Sequence, residues 1–376
     1  MRANVAMLTV RTQSARLLLL LACGAVLAAT FLFTIGNDAL SGRNAFQFFA
    51  DSRTYMRIYA GDEFLANDAL LSVSDNYVGP LLVLRALHGN IYLVMAFNIT
   101  LFWLSVVGVT HVLRLDALRV GVVLLLSPLT VSSLLSVNKE IFVLPFMALA
   151  IAGYVRRSVV LFIAAFAASL LIRWQVTAFF LILLGVSLPW RMLRHRALIV
   201  VALLGASSVA YLLLSEVFAA VIAVVERSVL DDFDQGSGLF TVLNGLQQRG
   251  AYFLVFPLKA AHLLFALGLR LDHIMRPTNV YNDIFVGLHC SVTLVVFVAM
   301  LRRGLVTLRS DLMYAAILFL VVFCLSPIYA PRYLYPVYVV WVLMLSGAPL
   351  QLSNLWNRVA LIDTIHAPTA LPAPAR

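Results

Sequence analysis

The sequence predicts an all-α polytopic membrane protein. Hydrophobic residues make up 62% of the 376 positions where about 45–50% is usual, and charged residues 12% where about 25% is usual. Their arrangement points the same way: long apolar runs alternate with short basic clusters, as in a chain that crosses a bilayer repeatedly, and mean hydropathy is +0.98. An ordinary soluble domain, a disordered chain, collagen and a coiled coil are excluded together. Cys23, Cys290 and Cys324 each sit inside an apolar run without zinc-type or disulfide-framework spacing, so they are expected as small core side chains.

Arg2, Arg11 and Arg16 precede the first run, Leu17 to Ile35, which at about 1.5 Å per residue spans a hydrocarbon core about 30 Å thick. This places the N-terminus in the cytoplasm. Leu20-Leu21-Ala22-Cys23 resembles a lipoprotein box, but the apolar run continues well past Cys23, so a retained span is expected rather than a cleaved signal peptide. Further runs at 90–113, 118–136, 141–155, 158–172, 175–190, 197–221, 280–301, 311–327 and 333–348 bring the total to about ten crossings.

The intervening segment 36–89 is too long for a turn. It mixes polar residues with Phe46, Phe48, Phe49, Tyr55, Tyr59, Leu70 and Leu71, which predicts amphipathic helices on the outer interface. A second outer loop covers 222–279, and within it Tyr252 to Leu269 is apolar yet contains Pro257, Lys259 and His262. Counting that stretch as a crossing would put Arg302 and Arg303 outside, so it is predicted to be re-entrant or interfacial. Residues 1–350 are thus expected to form one transmembrane domain, and the Pro- and Ala-rich 351–376 a disordered cytoplasmic tail.

With this threading the inner segments hold the N-terminal arginines, Arg114, Arg119, Arg156, Arg157, Arg191, Arg194, Arg196, Arg302, Arg303, Arg309, Arg358 and Arg376. Only Asp116, Asp311 and Asp363 oppose them. The formal charge of +10 is therefore the positive-inside bias, and no nucleic-acid partner is implied.

Ionisable groups at membrane depth are costly and are functional candidates by default; here they lie toward the outer face. Asp51 follows the first span and heads an aromatic-rich helix, where it or Ser52 also reads as a helix cap. Asn138-Lys139-Glu140 joins two spans with almost no loop, the arrangement of a snorkelling, self-neutralised pair. Arg173-Trp174-Gln175 repeats it at the next outer hairpin, and Arg332 opens the last span among tyrosines and prolines. Each taken alone is accounted for by capping or snorkelling.

Taken together, Lys139, Arg173 and Arg332 occupy the outer ends of different spans, and a bundle that converged them would bind one phosphate or diphosphate. A lipid phosphate is already a good leaving group. Cations stabilising it would therefore replace the second carboxylate of a glycosidase, leaving Asp51 as the base for an acceptor hydroxyl. The acidic run Asp231-Asp232-Phe233-Asp234 reads either as a solvated loop or as a divalent-cation site; as a calcium loop counted from Asp232 it has Leu243 where a Glu is needed. There is no P-loop, dinucleotide fingerprint or nucleophile elbow, and the histidines lack metal-ligand spacing.

This arrangement resembles the GT-C superfamily of integral-membrane glycosyltransferases and the related EpsG- and Wzy-type polymerases of bacterial surface polysaccharides. The features that carry it are Ala50-Asp51-Ser52 with Tyr55 downstream and Val78-Gly79-Pro80-Leu81-Leu82 leading into the second span. Asn138-Lys139-Glu140, Arg173-Trp174 and Arg332-Tyr333-Leu334-Tyr335-Pro336 follow at outer ends. The resemblance covers most of residues 17 to 348 and lies in the arrangement rather than in a sequence signature. It implies Asp51 as catalytic base, with Lys139, Glu140, Arg173, Arg332, Tyr55 and Tyr333 contacting substrate. Many GT-C proteins carry paired acids in the first loop where this chain has Asp51-Ser52; Wzy-type polymerases look as if they rely on outer-face arginines rather than a carboxylate, so the same residues also fit a repeat-unit polymerase in which Asp51 is merely structural.

The expected function is transfer of a sugar or oligosaccharide from a polyprenyl phosphate or diphosphate carrier to a surface glycan or lipid-linked acceptor. The expected location is the outer face of a bacterial inner membrane. No metal site and no cofactor is assigned, the divalent cation of the acidic loop excepted. A lipid-linked saccharide transporter and a non-catalytic assembly partner are the competing classes.

Overall fold

A computed structural model describes residues 52–61, 78–172, 174–187, 195–214, 238–266, 284–325 and 331–347; the statements below concern these residues. They are helical throughout, with no strand. In order the helices are α1 (Ser52–Tyr59), α2 (Val78–Ala86), α3 (Ile91–Leu113), α4 (Ala117–Leu125), α5 (Pro128–Leu135), α6 (Val143–Arg156), α7 (Val159–Leu170) and α8 (Trp174–Ser187). Then follow α9 (Arg196–Leu213), α10 (Gly238–Leu246), α11 (Tyr252–Phe265), α12 (Val286–Arg302), α13 (Asp311–Phe323) and α14 (Tyr335–Ser346). Short turns precede three of them: Glu140–Phe142 before α6, a wide turn Gln247–Ala251 before α11, and Pro331–Leu334 before α14.

Helix starts follow local chemistry. Asn90 accepts from the amides of Tyr92 and Leu93 at 3.0 and 3.2 Å, and Asp116 from those of Leu118 and Arg119 at 2.9 and 3.3 Å, so orphan amides of α3 and α4 are satisfied. The run expected as a single crossing over 118–136 is instead two helices, α4 and α5, bent by 91°. Pro128 is the cause: it has no N–H to continue the ladder and its ring clashes with the preceding turn, so it opens a new helix.

The carbonyls exposed at the end of α5 are gathered by one side chain. Asn98 of α3, itself buried, donates through Nδ2 toward the carbonyls of Ser136, Ser133 and Leu134 at 2.9, 3.2 and 3.4 Å. Asn98→Ala is expected to destabilise the protein by about 2 kcal/mol, because buried acceptors lose their donor. Thermal unfolding in detergent reads this directly, and an unchanged midpoint refutes the role.

Tyr335 to Met344 of α14 are all buried, with α4, α6, α12 and α13 around them. Outside this centre the polarity is that of a helical membrane protein. Leu104 on α3, Val160 on α7, Leu198 on α9, Leu254 on α11 and Val295 on α12 are exposed, while Asn98, Thr110, Ser127, Thr130 and Ser133 are buried. Helices α3 and α9 are long and apolar enough to cross a bilayer, and the bent pair α4–α5 is a third candidate. Cys290 and Cys324 are buried in the interior.

Helix ends that the basic clusters assign to one side touch each other. Asp311, opening α13, pairs with Arg196, opening α9, and accepts from the Tyr154 hydroxyl near the end of α6 at 2.6 Å. Arg303, just past α12, donates to the Leu345 carbonyl near the end of α14 at 3.0 Å.

Candidate functional site

Of the residues singled out in the sequence, Asp51, Arg173 and the acidic run 231–234 lie outside the described residues. Lys139, Glu140, Tyr55, Arg332 and Tyr333 are described. Lys139 and Glu140 are 6% and 2% exposed, so the expectation of a snorkelling hairpin is corrected. The break after α5 turns the chain inward, and the segment runs through the interior before α6 begins. Asn138, 3% exposed, accepts from the Glu140 amide through Oδ1 at 3.1 Å and so caps the turn that leads into α6.

Three other segments close on this one. Tyr55 of α1 is fully buried with Leu84, Val94 and Val137, which places the helix that follows Asp51 against the residue preceding Asn138. Gly79 of α2 sits so close to the α7–α8 hairpin that a Cβ built there would lie 2.3 Å from the Leu171 carbonyl and 3.1 Å from the Phe142 ring. One glycine thus brings the chain two residues before Arg173 to the chain two residues after Glu140. On the remaining side the Tyr335 hydroxyl is 2.8 Å from Thr130 of α5 and within electrostatic range of Glu140. Tyr335 follows the turn that carries Arg332 and Tyr333. Arg332 is half-buried as a residue, with its guanidinium carbon 5.6 Å from the Tyr333 ring centre, and Tyr333 in turn meets Phe323 edge-on at 5.8 Å.

The structure therefore brings Lys139 and Glu140 beside the α1–α2 segment, with Tyr335, three residues after Arg332, within electrostatic range of Glu140. Tyr55 lies in the hydrophobic packing of this region. What it assembles is a buried ionic and amide cluster, at a helix break, inside an apolar-coated bundle.

A second polar centre lies outside the residues that the sequence singles out as a site. Lys259 on α11 is fully buried and donates to Gln247 Oε1 at 2.7 Å; Gln247 Nε2 donates to the Leu325 carbonyl at 2.8 Å and to the Tyr211 hydroxyl at 2.5 Å. Tyr211 also donates to the Leu325 carbonyl, at 2.6 Å, and Tyr252 to that of Val321. These donors satisfy carbonyls at the end of α13, just before the chain reaches Arg332. Gly250 permits the kink between Gln247 and Lys259, with φ at 80° and Leu212 packed where a Cβ would stand. The signal is present in the sequence: a lysine and a histidine three residues apart in a Pro-bearing apolar segment. The partner Gln247, twelve residues earlier, is not marked by any pattern. A third buried pair, Ser127 Oγ with His289 Nδ1 at 2.7 Å, joins the start of α5 to α12.

No group of three or more His, Cys, Asp or Glu side chains able to hold a metal occurs among the described residues. The fold and the buried cluster define a class, a helical membrane protein with a buried ionic site. No protein-family model, no curated protein sequence and no solved structure matches this chain.

Proposed function

We propose that the protein is a polytopic glycosyltransferase of about ten spans, acting at the outer face of a bacterial inner membrane with both termini in the cytoplasm. It transfers a sugar or oligosaccharide from a polyprenyl phosphate or diphosphate to a surface-glycan or lipid-linked acceptor. The observation that carries this reading is the burial of Asn138-Lys139-Glu140 between α5 and α6, against the helix that follows Asp51. Charged side chains are seldom retained inside an apolar-coated bundle without a use.

In this mechanism the acceptor hydroxyl oxygen attacks the anomeric carbon, and its proton passes to the Asp51 carboxylate. The bond from the anomeric carbon to the phosphate oxygen breaks, and the departing phosphate keeps the electron pair. Lys139, Arg173 and Arg332 offset the negative charge that develops there. Glu140, Tyr55 and Tyr333 belong to the surrounding substrate-contacting set.

The 91° break between α4 and α5 supports a second reading, a transporter of a lipid-linked saccharide, since secondary transporters form substrate sites at discontinuous helices. Local turns weigh against it: the Leu124 and Ser127 carbonyls beside that break already accept from the Ser127 and Thr130 amides at 3.1 and 3.0 Å.

Mass spectrometry of lipid-linked saccharides and surface glycan, in cells with the wild type, a deletion, Asp51→Asn or Lys139→Met at matched membrane levels, separates these readings. Asp51→Asn is expected to lose about 100-fold or more of the transfer rate and to reproduce the deletion, with unextended acceptor accumulating. Accumulated single repeat units identify a polymerase, and a donor trapped in the inner leaflet identifies a transporter. An Asp51→Asn strain indistinguishable from wild type removes the carboxylate mechanism.

A further inference from the structure

Asn138 has a donor capacity that no described residue uses. Its Oδ1 is committed to the Glu140 amide at 3.1 Å, which fixes the plane of the side-chain amide over the start of the turn leading into α6. Its Nδ2 is buried and has no hydrogen-bond partner among the described residues. Buried donors are almost always paired in native proteins, so one left open points to a ligand. The surroundings specify the ligand's chemistry. The turn Glu140–Phe142 and α6 form one continuous helical segment whose N-terminal amides and positive dipole end lie at this point, and Lys139 is the adjacent side chain. With its oxygen engaged by the Glu140 amide, the group that Asn138 leaves open is its amide N–H. A sugar hydroxyl both donates and accepts; a phosphate oxygen only accepts, and so matches a donor-only contact beside a lysine and a helix N-terminus.

We infer that Asn138 Nδ2 is a hydrogen-bond donor to an oxygen of the carrier-lipid phosphate, which makes Asn138 a substrate-binding residue alongside Lys139. This rests on the reading of the donor as a polyprenyl phosphate or diphosphate. Asn138 is the second unit of the grip: Lys139 supplies the charge, and the amide supplies direction.

The test measures binding of farnesyl phosphate, with farnesol as the phosphate-free control, to the purified full-length protein in detergent. Asn138→Asp keeps an oxygen to cap the Glu140 amide but removes both N–H groups and adds a negative charge. Its melting temperature without ligand is expected to fall, since a buried carboxylate is added close to Glu140, and the affinity of the folded variant for farnesyl phosphate to fall at least tenfold. Asn138→Ser, a neutral cap without the amide, is expected to weaken binding about fivefold and supplies the reading if the aspartate variant does not fold. Either folded variant binding farnesyl phosphate within twofold of wild type overturns the role of Asn138 while leaving the lipid-phosphate donor in place. A wild type that does not distinguish farnesyl phosphate from farnesol overturns the donor class itself, and this inference with it.

Discussion

Gly79→Ala is expected to destabilise the folded protein by about 2 kcal/mol, reversing the sign the same change has in an open helix. Alanine is favoured over glycine within helices by up to about 1 kcal/mol, so without an obstacle α2 would gain. The obstacle is backbone: the new Cβ meets the Leu171 carbonyl at 2.3 Å, and the Phe142 ring at 3.1 Å closes the other direction. A carbonyl cannot rotate away as a side-chain tip can. Either α2 lifts off the hairpin or the hairpin shifts, and both disturb the segments next to Lys139, Glu140 and Arg173. Gly108 and Gly205, in α3 and α9, have nothing within 4 Å of an added methyl and serve as controls expected to be neutral or stabilised. Thermal unfolding of the three alanine variants in detergent checks the reversal. A Gly79→Ala protein as stable as the Gly108 control would show that α2 does not clamp this site.

Asp311→Asn is expected to cost about 3 kcal/mol, the scale for removing one partner of a largely buried ion pair. Asp311 holds three things at once: the Arg196 guanidinium, the Tyr154 hydroxyl at 2.6 Å and a place in the first turn of α13, where a negative charge suits the helix dipole. Arg196 is also fixed by its own bonds to the carbonyls of Leu308 and Arg309 at 2.8 and 3.0 Å, and its guanidinium carbon lies 5.1 Å from the Tyr314 ring centre. It therefore cannot swing out to water when its counter-charge is lost. Tyr154→Phe removes a single hydrogen bond to a charged acceptor and should cost about 1.5–3 kcal/mol, at or below the aspartate change. The double variant Arg196→Gln with Asp311→Asn should be less destabilised than the two singles summed, because neither leaves a buried charge alone. Additive losses across that cycle would show that the two charges act independently.

Much of the architecture can be read from local pattern. Apolar runs of helical length predict helices, and α3 and α9 meet the length and hydropathy that a crossing requires. The basic clusters sort helix ends into two groups, and contacts within one group are visible in Arg196 with Asp311 and in Arg303 with Leu345. Pro128 is plain in the sequence, yet the apolar run continues through it and reads as one span; hydropathy sees composition, whereas the missing N–H decides whether the ladder continues. The same limit hides the burial of Lys139 and Glu140. A short connection between spans looks like a surface hairpin until the preceding helix is known to turn inward.

Local pattern alone suffices for the class: a helical protein of apolar exterior, with basic clusters at one set of helix ends. Each of these follows from the solvation free energy of residues near one another in the chain, and so is legible in a window. Packing had to settle the rest: that Gln247 serves Lys259, that Asn98 serves the carbonyls at the end of α5, and that Gly79 seats α2 between Phe142 and Leu171. Those pairings depend on which buried donor meets which orphan acceptor once the helices are side by side, and hydrogen bonds made across tens of residues leave no periodic trace along the chain.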